Sequence, residues 1–376
     1  NTFYPTLLVL EEIVQPLYFQ KAKMKKTYIN GVGCISTQKT FDTVFLEEAV
    51  VNHDQNVLAI VPPVYKDYIS PAASRRMAKG VKNGIVASAL AMKDANVEKV
   101  DAIITGTGLG CIEDSEKFLK SILDNNEEFL TPTSFIQSTH NTVGAQIALL
   151  QQCKGYNFTY VNGAVSFESA LLDAKMQIEE DEAQSVLIGG VDENGDYTTA
   201  LFKLSGRIKE DNKAPYDVLT STTSGAVYGE GASFFVLENE RKYHTYAEVL
   251  DIAILNTLAE NEIEAEIKSF LKSNNLEISD IDALVLGFDG NVAFENYYRN
   301  LAENAFAQTP VLYYKHLSGE YDTASAFALW MAAKILKTQE VPEIIKVNSV
   351  EKPVYKTILL YNQLNGKNHS FTLITK

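Results

Sequence analysis

The chain has 376 residues, of which 46% are apolar and 22% are charged. This composition predicts a folded globular protein of one large or two smaller domains and excludes an intrinsically disordered chain. The formal net charge of −15, with no long basic run, argues against a nucleic-acid partner. Three widely separated cysteines, Cys34, Cys111 and Cys153, lack the spacing of a disulfide framework or a metal site, which fits a reducing cytoplasm.

The beginning of the chain does not resemble a signal peptide. Residues 3–19 are largely apolar, but Glu11 and Glu12 interrupt them and the lysines follow the apolar part instead of preceding it. No other run approaches the ~20 apolar residues that a membrane helix needs. We therefore predict no membrane segment, and we predict residues 1–23 to be an N-terminal extension of the folded part.

Strand-like runs alternate with helical periodicity along the chain, which predicts an α/β fold. Helical stripes lie between the strands, for example over residues 77–90 and 167–178. Near the C-terminus, Asn365 and Gly366 predict a tight hairpin because both tolerate positive φ. The predicted strands, in chain order, are 28–36, 101–106, 157–161, 185–191, 232–238, 247–255, 282–288, 310–314, 357–362 and 370–375.

Two short segments recur later in the chain at the same offset. VDAIITG (100–106) reappears as IDALVLG (281–287), and TVGA (142–145) reappears as TASA (323–326). Two weak matches that share one offset predict an internal repeat. The chain is therefore expected to consist of two similar α/β halves around a pseudo-twofold axis.

Several motifs resemble the β-ketoacyl synthases of the thiolase superfamily, in that family's order. They are SVLIGGVDE (185–193), APYD (214–217), GAVYGEGASFFVLE (225–238) and KHLSGEYDTASAFAL (315–329). The resemblance implies a thiolase fold, with two similar βαβαβαββ halves in a five-layered αβαβα arrangement. We predict the halves to span residues 24–244 and 245–376.

The chain departs from the family at the position of the nucleophile. The resemblance implies a cysteine at a strand-to-helix elbow, where the helix N-terminus lowers the thiol pKa. Aligning residues 162–174 with that elbow places Ala164 at the nucleophile position, or Gly163 if the register slips by one. Neither can carry an acyl chain. Ser166 is a weak candidate nucleophile, whose alternative role is to satisfy free amides at the helix start.

The two histidines that the family uses in decarboxylation are also replaced. The aligned residues are Gly287 and Glu320, whereas the family's lysine is retained as Lys315. Lys315 is expected either to pair with Glu320 or to be solvated. None of the five histidines looks catalytic. His316 is expected at a surface or interface, His140 in a capping or packing role, and the others, His369 among them, in polar loops.

Two further features bear on function. The glycine turn GTGLG (106–110) lacks the third glycine and the acidic residue of a dinucleotide loop, so we predict a structural turn, no cofactor and no metal. The segment 359–371 lacks the phenylalanine- and glycine-rich gate of active ketosynthases. Cysteine, both histidines and the gate are thus absent together, which indicates a different role.

The resemblance implies a chain-length factor, the ketosynthase-like subunit without cysteine in type II polyketide and aryl polyene-type systems. We expect it to pair with an active β-ketoacyl synthase through the strand region 157–163 and to shape the acyl-chain cavity. We expect such a subunit to be inactive alone. Whether this chain has an enzymatic activity of its own stays open. Acyl carrier protein would bind mainly through the partner, because here only Arg75, Arg76 and Lys79 form a local basic patch.

Two enzymatic alternatives remain open. In the first, a homodimeric acyltransferase transfers the acyl group directly between two thioesters, with Glu320 as the candidate base. In the second, the protein is a slow decarboxylase, because removing CO₂ from a malonyl group needs no cysteine.

Overall fold

The computed structural model describes residues 25–128, 130 and 132–376. The N-terminal extension predicted over residues 1–23 lies outside the described residues. The strands are β1 (Tyr28–Ile35), β2 (Ala102–Gly106), β3 (Tyr156–Tyr160), β4 (Ser185–Asp192), β5 (Gly231–Glu238), β6 (Ala247–Thr257), β7 (Ala283–Leu286), β8 (Val311–Tyr313), β9 (Thr357–Leu364) and β10 (Lys367–Thr375). Each of the ten predicted strands is present.

The helices lie between these strands, as the periodicity predicts. They are α1 (Pro71–Ser74), α2 (Lys79–Ala95), α3 (Ile112–Asp124), α4 (Pro132–Ser138), α5 (Thr142–Gln151), α6 (Ser166–Glu179), α7 (Asp196–Leu204), α8 (Ile263–Ser273), α9 (Asn296–Asn300), α10 (Lys315–Ser318) and α11 (Ser325–Thr338). None of the helices in the described ranges is long and apolar enough to cross a bilayer.

The strands form one mixed sheet in the order β3-β2-β4-β5-β1-β6-β10-β9-β7-β8. In the first five strands, β2 runs parallel to β3 and β4, whereas β5 is antiparallel to β4 and β1. The last five repeat this pattern, because β7 is parallel to β8 and β9, and β10 is antiparallel to β9 and β6. The two sets meet where β1 pairs with β6. The predicted repeat is thus present in the topology.

Two helices form the central layer of the molecule. Helix α6 contacts β2 and β4 of the first set and β6 of the second, and α11 contacts β1 and β5 as well as β9. Helix α11 has buried apolar side chains on all sides, with Phe327 and Trp330 fully buried. This is expected of a helix that is enclosed by protein. Helices α2 and α5 cover the outer face of the first set, and α8 packs on the second. This is the thiolase-type layering. The boundary between residues 244 and 245 stays a prediction; it precedes β6.

The carboxylate of Asp192 joins the two halves at the end of β4. One oxygen accepts hydrogen bonds from the amides of Gly108 and Leu109 and from the Thr107 hydroxyl. The other accepts from the amide and hydroxyl of Thr323, just before α11. The GTGLG segment is therefore a turn whose backbone amides are bound by the protein's own carboxylate, in agreement with its predicted structural role.

Candidate functional site

The predicted elbow lies between β3 and α6. Gly163–Val165 form one 3₁₀ turn that leads directly into α6, and Ala164 is buried within it. Gly163 has φ of 57°, in the left-handed region that glycine enters without steric penalty. The backbone therefore makes a sharp turn into a helix N-terminus, where free amides could stabilise negative charge. The side chain at this position is a methyl group, which offers no nucleophile.

Ser166 has a structural role at the same turn. Its Oγ donates a hydrogen bond to the carbonyl oxygen of Gly163 at 2.7 Å and accepts one from the amide of Asn162 at 2.8 Å. The side chain is fully buried. The Ser166 hydroxyl thus satisfies backbone groups at the start of the helix, which is the predicted alternative to a nucleophilic role. An activated nucleophile would instead donate its proton to a base.

Lys315 and Glu320 form a buried ion pair. Their Nζ and Oε2 atoms are 2.5 Å apart, and both side chains are almost completely removed from solvent. Lys315 also donates to Oδ1 of Asn362 at 2.8 Å. Burial raises the pKa of Glu320 to about 7, although Lys315 acts in the opposite direction. Of the two alternatives for Lys315, the structure shows pairing with Glu320 and not solvation.

Gly287 follows β7 at a point where no larger residue fits. A Cβ atom there would lie 2.4 Å from Asn362 Oδ1, 2.8 Å from the Tyr298 hydroxyl and 3.2 Å from Lys315 Nζ. A histidine at this position would therefore require the lysine and asparagine to move. Lys315 lies beside this glycine and also pairs with Glu320. The two positions predicted to correspond to the family's histidines, Gly287 and Glu320, are therefore both next to Lys315.

Two carboxylates near this pair were missed by the sequence reasoning. Asp289, two residues after Gly287, is buried, and burial raises its pKa while Lys315 lowers it. Asp322 is close to the elbow, with its Oδ1 4.0 Å from the position of a Cβ on Gly163. Burial and the neighbouring Asp192 raise the pKa of Asp322 to about 7. A charged residue in a loop carries no sequence signal of such burial.

Glu320 and Asp322 line a small cleft. It has a volume of about 60 Å³, and its lining includes Glu320 and Asp322 as well as Tyr228, Phe202 and Arg207. The Arg207 guanidinium stacks 4.8 Å from the Phe202 ring. Apart from Arg207 the ionisable groups of the cleft are acidic or phenolic. The groups available for chemistry here are thus carboxyls with a pKa near neutrality, which could accept or release a proton.

The histidines of the chain lie elsewhere, and two predictions about them were wrong. His316, expected at a surface or interface, is buried within the chain, stacks on Tyr313 and bonds through Nε2 to the carbonyl of Ile344. Burial lowers its pKa to about 3. His369, expected in a polar loop, lies buried on β10 and bonds to the Tyr361 hydroxyl. In both cases the neighbouring apolar elements, which are distant in sequence, cause the burial.

Metal-binding side chains do not cluster in the described part of the chain: no group of three or more His, Cys, Asp or Glu is arranged to hold an ion.

The edge strand β3, beside the elbow, is uncovered in this chain. Among the described strands it pairs only with β2. The rings of Tyr156, Phe158 and Tyr160 follow one another along it with centroids 6.1 and 4.9 Å apart. Tyr156 and Phe158 are exposed, and so are Leu149 and Leu150 at the end of α5. We call these residues the β3 edge patch. An unpaired strand edge with apolar neighbours is typical of an interaction surface.

Comparison with known proteins finds a family match within the first half of the chain. Residues 65–242 match the family described as β-ketoacyl synthase, N-terminal domain. The 3-oxoacyl-[acyl-carrier-protein] synthase 2 of Staphylococcus aureus is 23% identical over 199 residues, which cover 49% of this chain and 48% of the relative. The alignment thus spans about half the length of this curated relative.

Solved structures of low sequence identity share the ketosynthase fold over nearly the whole chain. The ishigamide ketosynthase/chain length factor is 19% identical, with a TM-score of 0.74 over 94% of this chain and 100% of that one. A β-ketoacyl synthase from Burkholderia phymatum is 15% identical, with a TM-score of 0.75 over 94% and 100%. A ketosynthase in complex with its chain length factor from Xenorhabdus doucetiae is 12% identical, with a TM-score of 0.70 over 94% and 98%. The thiolase-type ketosynthase fold predicted from the motifs is confirmed.

Proposed function

We propose that this ketosynthase-fold protein is a non-condensing subunit, a chain-length factor, that pairs with an active β-ketoacyl synthase in fatty acid- or polyketide-type biosynthesis. The observation that carries the proposal is the elbow itself. A sharp turn and a helix N-terminus are kept, but they present the methyl group of Ala164. Next to Gly287, the space for an imidazole is filled by Asn362, Tyr298 and Lys315, and Lys315 is paired with Glu320.

The remaining site chemistry supports a non-condensing role. Condensation needs a thiolate to carry the acyl chain and neutral or cationic donors to hold the malonyl thioester carbonyl. The cleft instead carries Glu320 and Asp322, with Asp192 and Asp289 buried nearby. Above about pH 7, where Glu320 and Asp322 ionise, they would repel a malonyl carboxylate and so lower its affinity.

The β3 edge patch supports a protein partner. An exposed strand edge pairs readily with the same strand of a second subunit, and twofold pairing would bring the two elbows to the same interface. The patch has apolar side chains and no charged residue within Tyr156–Tyr160, so both a second copy and a related ketosynthase could pair with it. Among the similar solved structures, one is titled as a ketosynthase in complex with its chain length factor.

Carrier-protein binding is proposed to occur mainly through the partner. Another structure of this fold is titled as a type II acyl carrier protein in complex with its ketosynthase. In the present chain the predicted basic patch is small, because Lys79 is paired with Glu230 at 2.8 Å. Arg75 and Arg76 remain exposed. Two arginines on a protein of net charge −15 form a weak site for an acidic carrier protein.

The pairing is tested by co-expression with a cysteine-bearing ketosynthase from the same genome. The proposal predicts that the two chains copurify, and that Phe158→Glu abolishes copurification because a buried charge would face the partner strand. Tyr243→Glu, on an exposed loop before β6, is the matched control and should copurify normally. Copurification of the Phe158→Glu variant at wild-type yield would contradict pairing through β3.

A homodimeric enzyme without the Cys-His-His set is the second candidate. It is favoured by the two carboxyls of the cleft, Glu320 and Asp322, each with a pKa raised to about 7, because such groups suit proton transfer at neutral pH. The test is incubation of the purified chain alone with acyl- and malonyl-thioesters. This candidate predicts a condensed or decarboxylated product that disappears in both Glu320→Gln and Asp322→Asn. No product from the wild-type chain would refute it.

A further inference from the structure

A second polar site lies inside the molecule, on the side of α6 that faces α11. Glu168 is in the first turn of α6, four residues after Ala164, and only 2% of it is exposed. One carboxylate oxygen, Oε1, accepts a hydrogen bond from Ser370 on β10 at 2.9 Å. The other oxygen, Oε2, is buried and has no hydrogen-bond partner among the described residues. A buried carboxylate oxygen without a partner is rare in folded proteins, because its desolvation is uncompensated.

A second unsatisfied group faces the same space. Ser325 is the first residue of α11, is 6% exposed, and its Oγ also has no partner in the described part of the chain. Ser325 is near enough to Glu168 to lower its pKa, yet the two groups do not meet in hydrogen-bond geometry. Burial nevertheless raises the pKa of Glu168 overall. Glu168 Oε2 and Ser325 Oγ could therefore both be satisfied by one further hydrogen-bonding molecule that lies within reach of both.

Glu168 and Ser325 both line one cavity. Its volume is about 10 Å³, and oxygen-bearing side chains of Asn362, Ser370 and Thr372 join Glu168 and Ser325 in its lining. A buried water requires on the order of 10 Å³ of such space and roughly two to four polar partners. The remaining walls are formed by apolar residues such as Phe167 and Leu329 and by the tyrosines Tyr314 and Tyr361. The cavity is thus large enough for one water molecule and too small for an organic ligand.

We propose that this cavity is a binding site for one ordered water molecule that donates a hydrogen bond to Glu168 Oε2 and accepts one from the Ser325 hydroxyl. The water joins α6, α11 and β10, and so it links the two halves of the molecule behind the elbow. Asn362 extends this polar chain to the ion pair, because its Oδ1 accepts from Lys315. The bound water is therefore part of the support of the former catalytic position. The proposal does not rest on the proposed function.

Direct observation requires no variant. A crystal structure at atomic resolution should show one isolated density peak within hydrogen-bond distance of Glu168 Oε2 and Ser325 Oγ. An empty cavity at that resolution would overturn the proposal. An anomalous peak at this position after soaking in a rubidium salt would identify a monovalent cation instead and would also overturn it.

A solution measurement tests the same site with a matched set of variants. Water-oxygen magnetic relaxation dispersion counts waters that stay bound for longer than nanoseconds. Ser325→Val fills the cavity and removes the hydroxyl, so it should reduce this count by one relative to the wild type. Ser88→Ala is the control, since it deletes a buried helix hydroxyl that bonds only to the Ile85 carbonyl, and its count should be unchanged. An unchanged count in folded Ser325→Val would contradict the proposal; if that variant does not fold, the crystallographic result decides.

Discussion

Replacing Glu320 by glutamine isolates the energetic consequence of burying a carboxyl at the position that we predict to correspond to a family histidine. The side chain is fully buried and its pKa is raised to about 7 from an ordinary value of 4.5, with burial as the largest cause and Lys315 opposing it. Between these two pH values the folded protein binds a proton that the unfolded chain has released. Stability contributed by Glu320 is therefore present below pH 4.5 and is lost as the pH rises towards 7.

The size of this effect follows from the shift. A shift of about 2.5 units corresponds to about 3 kcal/mol at 25 °C. Glutamine cannot ionise and keeps an oxygen that can accept from Lys315. The stability of Glu320→Gln relative to the wild type should therefore increase by about 2.5 kcal/mol between pH 5 and pH 8, which is most of the full effect.

Urea unfolding of both proteins at the two pH values measures this difference. The comparison cancels the contributions of other buried carboxyls, such as Glu193, whose pKa is also raised to about 7. Glu260→Gln, at an exposed position, should show no pH-dependent difference. If Glu320→Gln shows none either, Glu320 is ionised throughout this range and the attraction to Lys315 dominates over burial, which would refute the reasoning.

Three further predictions concern the elbow, the joint between the halves and the thiols. Ala164→Cys should gain an acyl mass from an acyl thioester, because the thiol lies at a helix N-terminus, but it should release no condensed product. Intact-mass and product analysis measure both results. A condensed product would show that condensation does not need the absent imidazoles. Asp192→Ala should lower the free energy of unfolding by about 3 kcal/mol or more, since it leaves several buried donors unpaired. A loss below about 1 kcal/mol in urea unfolding would show that the hydrogen bonds of Asp192 do not stabilise the contact between the halves. Burial raises the pKa of Cys34 to about 11, so iodoacetamide at pH 8 should label the partly exposed Cys153 first in peptide mapping; equal labelling rates in the native protein would contradict the burial of Cys34.

The fold was largely predictable because its signals are local. Runs rich in Val, Ile and Leu, bounded by turn residues, predicted all ten strands. The Asn365-Gly366 turn has φ of 53° and 69° at its two residues, as the composition of that dipeptide requires. The repeat of VDAIITG as IDALVLG corresponds to β2 and β7, which occupy equivalent places in the two sets of strands.

The residues of the candidate site could be predicted only where they belong to a sequence motif that can be aligned with a known family. Ala164, Gly287, Lys315 and Glu320 were found by alignment to known motifs, and their roles stay predictions. Asp322 was missed, because a carboxylate in a loop reads as solvated until the fold brings other elements around it. The burial of a polar residue depends on contacts between distant segments, and a single sequence does not show them.

The same limit explains the two histidine errors and Glu168. His316 and His369 lie in short polar stretches, yet each is enclosed by elements far away in sequence. Glu168 occupies a helix position that reads as an ordinary polar residue, although its side chain points between the two halves. Side chains such as these define the interior chemistry of the protein, and only the packing of the halves reveals them.

The central claim is that this chain carries no acyl group itself and acts through a ketosynthase partner. The most direct measurement is the intact mass of both copurified subunits after incubation with acyl- and malonyl-loaded carrier protein. The account predicts that only the partner gains the acyl mass and that this chain keeps its unmodified mass. An acyl adduct on this chain, or a condensed product released by this chain alone, would contradict the account.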